Sequence, residues 1–301
     1  MINILIRELR YIGYYYAVQF ERFFWYWVAG LVIGALISAF AKDRIFRLFG
    51  RMNGTRMGAF GIIPACLLRF ANPLWLSGTL PIAASLERQG MRHDWLAAFM
   101  TASILLNPQM IVFSAALGSA TLIVRIVTCL LCSCAAGLVI RFLYGNQPFF
   151  DFTDFALSES REPDGNGLLR FLKELGRNFK ATVLCFLGGV LLAVLFQQYI
   201  PEGYVAMLFG ANRVRGVLLA AAVGLLFVAN GSGSVPPLRE WMVQGMSMGS
   251  AAAFMIVGPA TRLTDLGALR KLLGTKRFLA YLLFVTAFAV AAGIVVNLIS
   301  V

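Results

Sequence analysis

The chain has 301 residues, of which 59% are hydrophobic and only 13% are charged. This balance excludes an ordinary soluble domain, in which about a quarter of the residues carry charge. The net charge is +12, but the basic residues cluster between apolar segments, where anionic lipid attracts them, so the charge does not indicate binding of nucleic acid.

Eight apolar segments are predicted to cross the membrane, because each is long enough for a bilayer that needs about 20 residues. In the first half they cover residues 23–41, 57–86, 92–118 and 119–143, and in the second half residues 181–200, 214–238, 241–261 and 278–299. We therefore predict an all-α polytopic membrane protein whose constant partner is the lipid bilayer.

The longest polar stretch separates two membrane units. Residues 1–144 form the first predicted membrane repeat, residues 145–180 a polar linker with an interfacial helix, and residues 181–301 the second repeat. Within the linker, residues 168–180 alternate apolar and basic side chains with helical spacing, which is typical of a helix lying at a membrane surface.

The two halves share an internal duplication. Residues 77–100 recur 155 positions later as residues 232–255, and the two segments agree at 10 of 24 aligned positions, including Ser-Gly-x-x-Pro and Gln-Gly-Met. Such self-similarity indicates two homologous repeats, here of about four transmembrane segments each. Four full crossings per repeat make the repeats parallel, whereas a segment 57–86 that dips in and returns makes them inverted. We favour eight crossings.

Helix-breaking residues interrupt the apolar segments at matching places in both halves. They occur at residues 72–73 and 77–81, at their counterpart 230–236, at the Asn-Pro of residues 107–108, and at the Gly-Pro-Ala-Thr of residues 258–261. Bare backbone groups are costly in a bilayer unless they line a polar cavity or meet a ligand. The pattern predicts discontinuous helices that form one transport site at the interface between the repeats. The alternative is that glycine and serine only allow close helix packing.

The predicted substrate site combines hydrogen-bonding side chains at these breaks with one aromatic and one cationic residue. The amide and hydroxyl groups would donate and accept hydrogen bonds, the indole would form a wall, and the guanidinium would bind anionic charge. The ten residues are Asn72, Trp75, Ser77, Thr79, Asn107, Asn230, Ser232, Ser234, Thr261 and Arg262. The alternative role for Arg262 is an ion pair with a carboxylate such as Asp265.

The sequence offers little for catalysis. The single histidine, His93, cannot build a metal site or a catalytic triad unaided, and no phosphate-binding glycine motif occurs in a strand–helix context. We expect no enzymatic activity, no cofactor and no metal site. Transport would be passive or driven by an ion gradient, with Glu87, Glu240 and Asp265 as candidate proton carriers. Cys129, Cys132 and Cys134 are interpreted as small packing residues, with a copper-binding pair as the alternative.

At these motifs the chain resembles a family of bacterial inner-membrane permeases that includes organoarsenical efflux permeases and proteins assigned to copper or zinc efflux. The resemblance extends over nearly the whole chain and is strongest at residues 258–267, 273–274 and 280–282, with a second region at residues 80–90. It implies a duplicated carrier in a bacterial inner membrane.

The departures from the family pattern concern its metal-binding groups. The family's Cys-Ser-Cys-Gly is replaced by Trp75, Leu76, Ser77 and Gly78, a frequent second-half cysteine by Asn230, and the usual Asn after Pro-Ala-Thr by Arg262. Two acids common among relatives are absent from residues 103–109. Because soft cations and trivalent arsenic need thiolates or carboxylates, we expect a secondary permease that exports a small neutral or anionic solute.

Two other hypotheses about the function stay open. One is metal or metalloid efflux of copper, zinc or organoarsenicals, as in the family. The other is a membrane scaffold subunit that does not transport. The sequence leaves homo-oligomerisation open.

Overall fold

Every element in the described part of this computed structural model is helical. The structure describes residues 2–40, 58–68, 76–145, 147, 149–152, 167–201, 203–210, 213–226 and 231–300. Its α-helices in chain order are α1 (Ile2–Phe40), α2 (Ile62–Leu67), α3 (Leu76–Arg88), α4 (His93–Leu105), α5 (Pro108–Ser114), α6 (Ser119–Tyr144), α7 (Gly167–Tyr199), α8 (Tyr204–Phe209), α9 (Arg213–Leu226), α10 (Gly231–Val243), α11 (Met248–Ala260) and α12 (Leu263–Ile299).

Several of these helices are long and apolar enough to cross a bilayer. Four of them meet that criterion within the described ranges: α1, α6, α7 and α12. The pair α4 and α5, bent by 43° at a short break, makes a fifth candidate span. The prediction of an all-α polytopic membrane protein is therefore confirmed at this level.

The helices form a bundle in which neighbours along the chain are seldom the closest partners. Helix α1 packs along α7, α4 along α6, and α11 against both α9 and α12, while α10 lies on α7. Helices α4 and α11 are buried nearly throughout. The bundle therefore encloses short central helices with longer ones, several of whose apolar residues remain exposed, as lipid contact requires.

Two stretches predicted as interruptions are helical. Residues 77–81 lie inside α3, with Pro81 in the helix, and residues 231–236 lie inside α10 with Pro236. The prolines stand close to the start of each helix, so each removes a backbone hydrogen bond only to a carbonyl near the first turn. The glycine and serine residues form the first turns of helices rather than breaks. Residues 72–73 lie outside the described part of the chain.

Two predicted boundaries were also wrong. We expected segments 214–238 and 241–261 to meet at Arg239 and Glu240, but both residues lie inside α10, and the turn comes after Val243. We also separated an interfacial helix at residues 168–180 from a span at 181–200, whereas α7 runs unbroken from Gly167 to Tyr199. In each case charged side chains were taken as the end of a helix that continues through them.

Candidate functional site

The break between α4 and α5 is held by Asn107. The backbone leaves the helical region at this residue (φ −66°, ψ 124°), and the Asn107 side-chain oxygen accepts a hydrogen bond from the Gln109 amide at 3.0 Å. Asparagine is a favoured cap for this reason, and the proline that follows suits the first helical position. The sequence thus ends α4 and restarts a helix within two residues, deep in the protein.

Polar side-chain atoms without hydrogen-bond partners accumulate at this break. Asn107 Nδ2, Gln109 Nε2 and Ser103 Oγ are all inaccessible to solvent and have no hydrogen-bond partner among the described residues. These three residues are only 2% to 3% exposed. Because an unpaired buried polar group costs about 1–3 kcal/mol, the three groups mark a place where water or a ligand can bind.

Gln109 faces two glycines of α1 and one polar residue of α7. A Cβ at Gly30 would lie 2.7 Å from the Gln109 carbonyl oxygen, and a Cβ at Gly34 would lie 3.4 Å from Gln109 Cβ and 3.8 Å from Asn178 Nδ2. The missing side chains on α1 allow α5 to approach so closely. Gln109 and Asn178 both approach α1 at Gly34.

The buried face of α7 continues this line of polar groups. Thr182 Oγ1 donates to the Asn178 carbonyl at 2.8 Å, and Ser232 Oγ of α10 donates to the Thr182 carbonyl at 3.4 Å. Further along, a Cβ at Gly189 would lie 2.4 Å from the carbonyl oxygen of Gly233, so α7 and α10 touch through their backbones. We name the group Asn107, Gln109, Asn178, Thr182 and Ser232 the polar seam.

Thr261 and Arg262 turn to other partners at the start of α12. Thr261 Oγ1 donates to the Gly224 carbonyl of α9 at 3.2 Å and to Val257 at 3.0 Å. The Arg262 guanidinium pairs with Asp265 at 2.7 Å, and both residues are buried. The alternative role weighed for Arg262, pairing with Asp265, is therefore the arrangement observed.

The structure brings together only some of the ten predicted residues. Ser232 contacts α7 at the Thr182 carbonyl, and Asn107 caps α5 two residues before Gln109, which shares the surroundings of Gly34 with Asn178 of α7. Thr79 is buried in α3, and Ser234 is half-buried in α10. Asn72, Trp75 and Asn230 lie outside the described residues, as does the side chain of Ser77. Their place in the site stays a prediction.

Sequence reasoning missed three members of the polar seam: Gln109, Asn178 and Thr182. A signal for two of them existed, because Asn178, Thr182 and Gly189 follow one another at spacings that place them on one helix face. We assigned Asn178 to the interfacial helix instead, since basic residues surround it. Gln109 follows the Asn-Pro break directly and was noted only as a departure from the family pattern.

Among the described residues, the other buried charges include one acid with oppositely charged partners and two residues, Glu240 and Arg125, whose partners are neutral. Asp94 pairs with Arg92 at 3.1 Å and with Arg141 at 3.2 Å. Glu240 of α10 has neutral partners instead, since it accepts hydrogen bonds from Gln19 of α1 and from Gln244, the residue after the end of α10. Arg125 of α6 donates to a serine hydroxyl.

An apolar cavity of about 110 Å³ lies apart from the polar seam, between α4, α6 and α12. Its lining includes Thr101 and Ile140 from the first half of the chain and Leu273 from the second. The Arg277 guanidinium stands 5.3 Å from the ring centre of Phe149 at one side. The cavity therefore joins both halves, but its walls suit an apolar group.

The cysteines lie mainly on the buried side of α6. Cys129 and Cys132 are fully buried, as expected for packing residues, while Cys134 is half-buried and its Sγ lies 3.6 Å from Cys66 Sγ of α2. Among the described residues, no group of three or more histidine, cysteine or acidic side chains is placed to hold a metal ion.

Comparison with known proteins identifies relatives across the chain. The family model ArsP_1, described as a predicted permease, matches residues 11–298. The UPF0718 protein YraQ of Escherichia coli is 26% identical over 260 residues, which cover 83% of this chain and 70% of that protein.

Two shorter matches belong to the same group of proteins. A UPF0718 protein of Methanocaldococcus jannaschii is 29% identical over 111 residues, and the match covers 37% of this chain and 30% of the relative. The UPF0718 protein YcgR of Bacillus subtilis is 32% identical over 71 residues, or 24% of each chain. In both cases the chain spans less than a third of the relative's length. No solved structure matches the chain.

Proposed function

Because this chain belongs to the ArsP_1 family of predicted permeases, we propose that it is a secondary permease that exports a small neutral or anionic solute. Its membership confirms the family that the sequence motifs indicated. The proposed place of action is a bacterial inner membrane, and the proposed mechanism needs no cofactor and no enzymatic step. An ion gradient would drive export, with the buried carboxyl of Glu240 as a candidate proton carrier.

Two pseudo-symmetric halves are part of this proposal, and the helix bounds support them. Adding 155 to the bounds of α3 (Leu76–Arg88) gives those of α10 (Gly231–Val243), and the same offset takes α4 to α11. The intervening turns both contain a left-handed glycine, Gly90 with φ 83° and Gly245 with φ 98°. Corresponding sequence segments thus take corresponding conformations.

Packing between helices supports the duplication further. A Cβ at Gly137 of α6 would lie 2.9 Å from the Asp94 carbonyl of α4, and one at Gly293 of α12 would lie 2.6 Å from the Gly249 carbonyl of α11. Asp94 and Gly249 are again 155 positions apart. Carriers with two such halves achieve alternating access when one half moves against the other around a site between them.

The observation that carries the transport proposal is the polar seam. Five polar residues, none more than 8% exposed, lie at the α4–α5 break, on the buried face of α7 and at the start of α10. Two of their side-chain nitrogens, Asn107 Nδ2 and Gln109 Nε2, lack partners. In a bundle that spans a membrane, such groups are expected where a polar solute binds and passes.

A transport assay with a matched pair of glutamine variants tests the proposal. Everted membrane vesicles would be supplied with labelled organic anions, neutral solutes, copper, zinc and methylated arsenite. Gln109→Leu removes the unpartnered amide and is expected to abolish most uptake of the transported solute while the protein stays folded. Gln198→Leu, at an exposed position of α7, is the control and should transport normally.

Other outcomes would select another function. Vesicles that move none of the solutes above the empty-vector level would contradict transport and favour a scaffold subunit. Uptake of copper, zinc or arsenite in preference to the other solutes would contradict the proposed substrate class.

Metal or metalloid efflux is the second candidate, and the contact between Cys66 and Cys134 favours it. Their sulfur atoms lie 3.6 Å apart at the α2–α6 contact, and paired thiols suit soft metal ions. If metal uptake is observed, Cys66→Ser and Cys134→Ser should each abolish it, whereas Cys129→Ser should not.

A further inference from the structure

Arg125 is the largest fully buried side chain in the described part of the chain. It lies in α6, a candidate membrane span, and is only 2% exposed. Its guanidinium donates one hydrogen bond, from Nη1 to Ser114 Oγ at 2.8 Å. Its Nε is sealed from solvent and has no hydrogen-bond partner in the part of the chain that the structure describes.

No carboxylate in the described ranges forms an ion pair with Arg125. The ion pairs of the buried interior in these ranges join Asp94 to Arg92 and to Arg141, and Arg262 to Asp265. Arg125 is thus a buried cation whose only hydrogen-bond partner among the described residues is a neutral hydroxyl, that of Ser114, which itself donates to the Met110 carbonyl at 2.6 Å.

Such an arrangement is costly for the protein alone. A guanidinium stays protonated in proteins, so Arg125 cannot lower the cost by losing its proton. A charge in the membrane interior is tolerated when it faces a partner or a polar cavity. A bound anion that is not part of the polypeptide would supply the negative charge that Arg125 lacks nearby.

The surroundings of Arg125 are polar without being acidic. Thr121 and Thr128 flank it one turn away on the buried face of α6. Thr121 Oγ1 contacts the sulfur of Met248 at 3.7 Å, so α11 of the second half closes this region. A second guanidinium, that of Arg239 from α10, donates to the Ala116 carbonyl at 3.0 Å, two residues beyond Ser114.

We propose that Arg125 binds the oxyanion of the transported solute, a carboxylate or phosphate group. The inference rests on the proposed function and narrows its substrate class from neutral or anionic to anionic. The planar guanidinium presents Nε–H and Nη–H groups that together match two oxygens of such an anion. Since Nε is sealed in this conformation, the anion enters when α6 separates from α5 or α11 during alternating access.

Thermal unfolding of the purified protein in detergent and a phosphate-free buffer tests whether an oxyanion binds at Arg125. The apparent Tm of the wild type should rise in a saturable manner with succinate or inorganic phosphate, but not with chloride of equal ionic strength. Arg125→Met should raise the Tm in oxyanion-free buffer, because it removes an uncompensated charge, and should weaken the oxyanion effect at least about tenfold.

Matched variants separate this role from a structural one. Arg177→Met, at an exposed arginine of α7, should leave the oxyanion effect unchanged. Arg125→Lys keeps the charge without the planar fork and should bind the oxyanion more weakly than the wild type. The proposal is overturned if the wild type shows no saturable stabilisation, if Arg125→Met retains the full effect, or if that variant is destabilised in oxyanion-free buffer.

Two further measurements distinguish the solute from lipid and the inference from the permease itself. Native mass spectrometry that finds a phospholipid bound to the wild type and lost in Arg125→Met would assign the oxyanion to a lipid headgroup and overturn the solute assignment. In vesicles, a solute that wild type and Arg125→Met transport with equal KM would overturn this inference while the permease function stands. Failure of all transport would instead contradict the proposed function.

Discussion

The buried pair of Arg262 and Asp265 shows how strongly one contact changes the role of a residue. The sequence analysis assigned Arg262 to anion binding, which requires a guanidinium whose charge is not already neutralised by a carboxylate. At 2.7 Å from Asp265 its charge is largely compensated. Anion binding by Arg262 stays a prediction, but a solute would have to compete with a carboxylate already in place. Arg125 faces no such competitor among the described residues.

Removing either member of this pair should destabilise the protein. Arg262→Ala removes the cation that pairs with the buried Asp265 carboxylate, and Asp265→Ala removes the anion that pairs with the buried guanidinium, so each is expected to cost about 3–5 kcal/mol. The double variant should cost less than the sum of the two. Reversible unfolding in mixed detergent micelles would measure the three free energies. Additive effects would show that the pair contributes no coupling.

The sequence predicted part of the candidate site for a physical reason. Asn107 was identified because Asn-Pro marks a helix break, and such a break inside an apolar segment is rare. Gln109 and Asn178 escaped because their role depends on which faces of α1, α5 and α7 meet. Gly34 brings the two side chains together, and no local pattern in the sequence identifies that contact.

At the scale of helices, the contact between α7 and α10 depends on two glycines. Gly189 and Gly233 bring the backbones so close that a Cβ at Gly189 would lie 2.4 Å from the Gly233 carbonyl oxygen. Small residues allow such approaches in membrane bundles. Since Thr182 and Ser232 belong to the same contact, the glycines also set the geometry of the polar seam.

Two neighbouring glycines of α7 offer a matched test of this contact. Gly189→Ala should destabilise the protein by about 1–3 kcal/mol, because the added methyl group cannot fit without separating α7 and α10. Gly188 is exposed with nothing within 4 Å of its Cβ position, so Gly188→Ala should be neutral or slightly stabilising. Thermal unfolding of the two variants gives the comparison. Equal stability would contradict the close contact.

Helix boundaries were predicted well where turn chemistry marks them and poorly where charge was used instead. The first-half turn was placed correctly between segments 57–86 and 92–118, near Gly90. In the second half the internal match already paired Gly245 with Gly90, but Arg239 and Glu240 were taken as the loop. Those charges are accommodated within α10 by two tertiary contacts, with the Ala116 carbonyl and with Gln19. Gln244, four residues after Glu240, adds a local hydrogen bond.

At the scale of the whole molecule, the correspondence between halves bears on how the chain crosses the membrane. In the first half α4 and α5 form one bent candidate span, and α6 follows after Gly118 (φ 101°, ψ 159°). In the second half α12 contains a similar non-helical residue, Gly274 (φ 68°, ψ 165°). Dividing α12 there makes α11 with the first part of α12 the counterpart of α4 with α5.

This division favours four crossings in each half and parallel repeats. The first half would cross at α1, at α2 with α3, at α4 with α5, and at α6. The second would cross at α7, at α9 with α10, at α11 with the start of α12, and at the rest of α12. An even number of crossings separates corresponding points, so the turn at Gly90 and the turn at Gly245 should face the same side of the membrane.

Labelling of single cysteines at the two turns tests this arrangement. Arg88→Cys and Val243→Cys replace exposed residues that end α3 and α10, in a background without the five native cysteines. A membrane-impermeant maleimide should label both from the same side, when right-side-out and everted vesicles are compared. The cysteine-free parent protein is the control for non-specific labelling. Labelling from opposite sides would mean an odd number of crossings per half and hence inverted repeats. One of the short-helix pairs would then have to enter and leave the membrane on the same side.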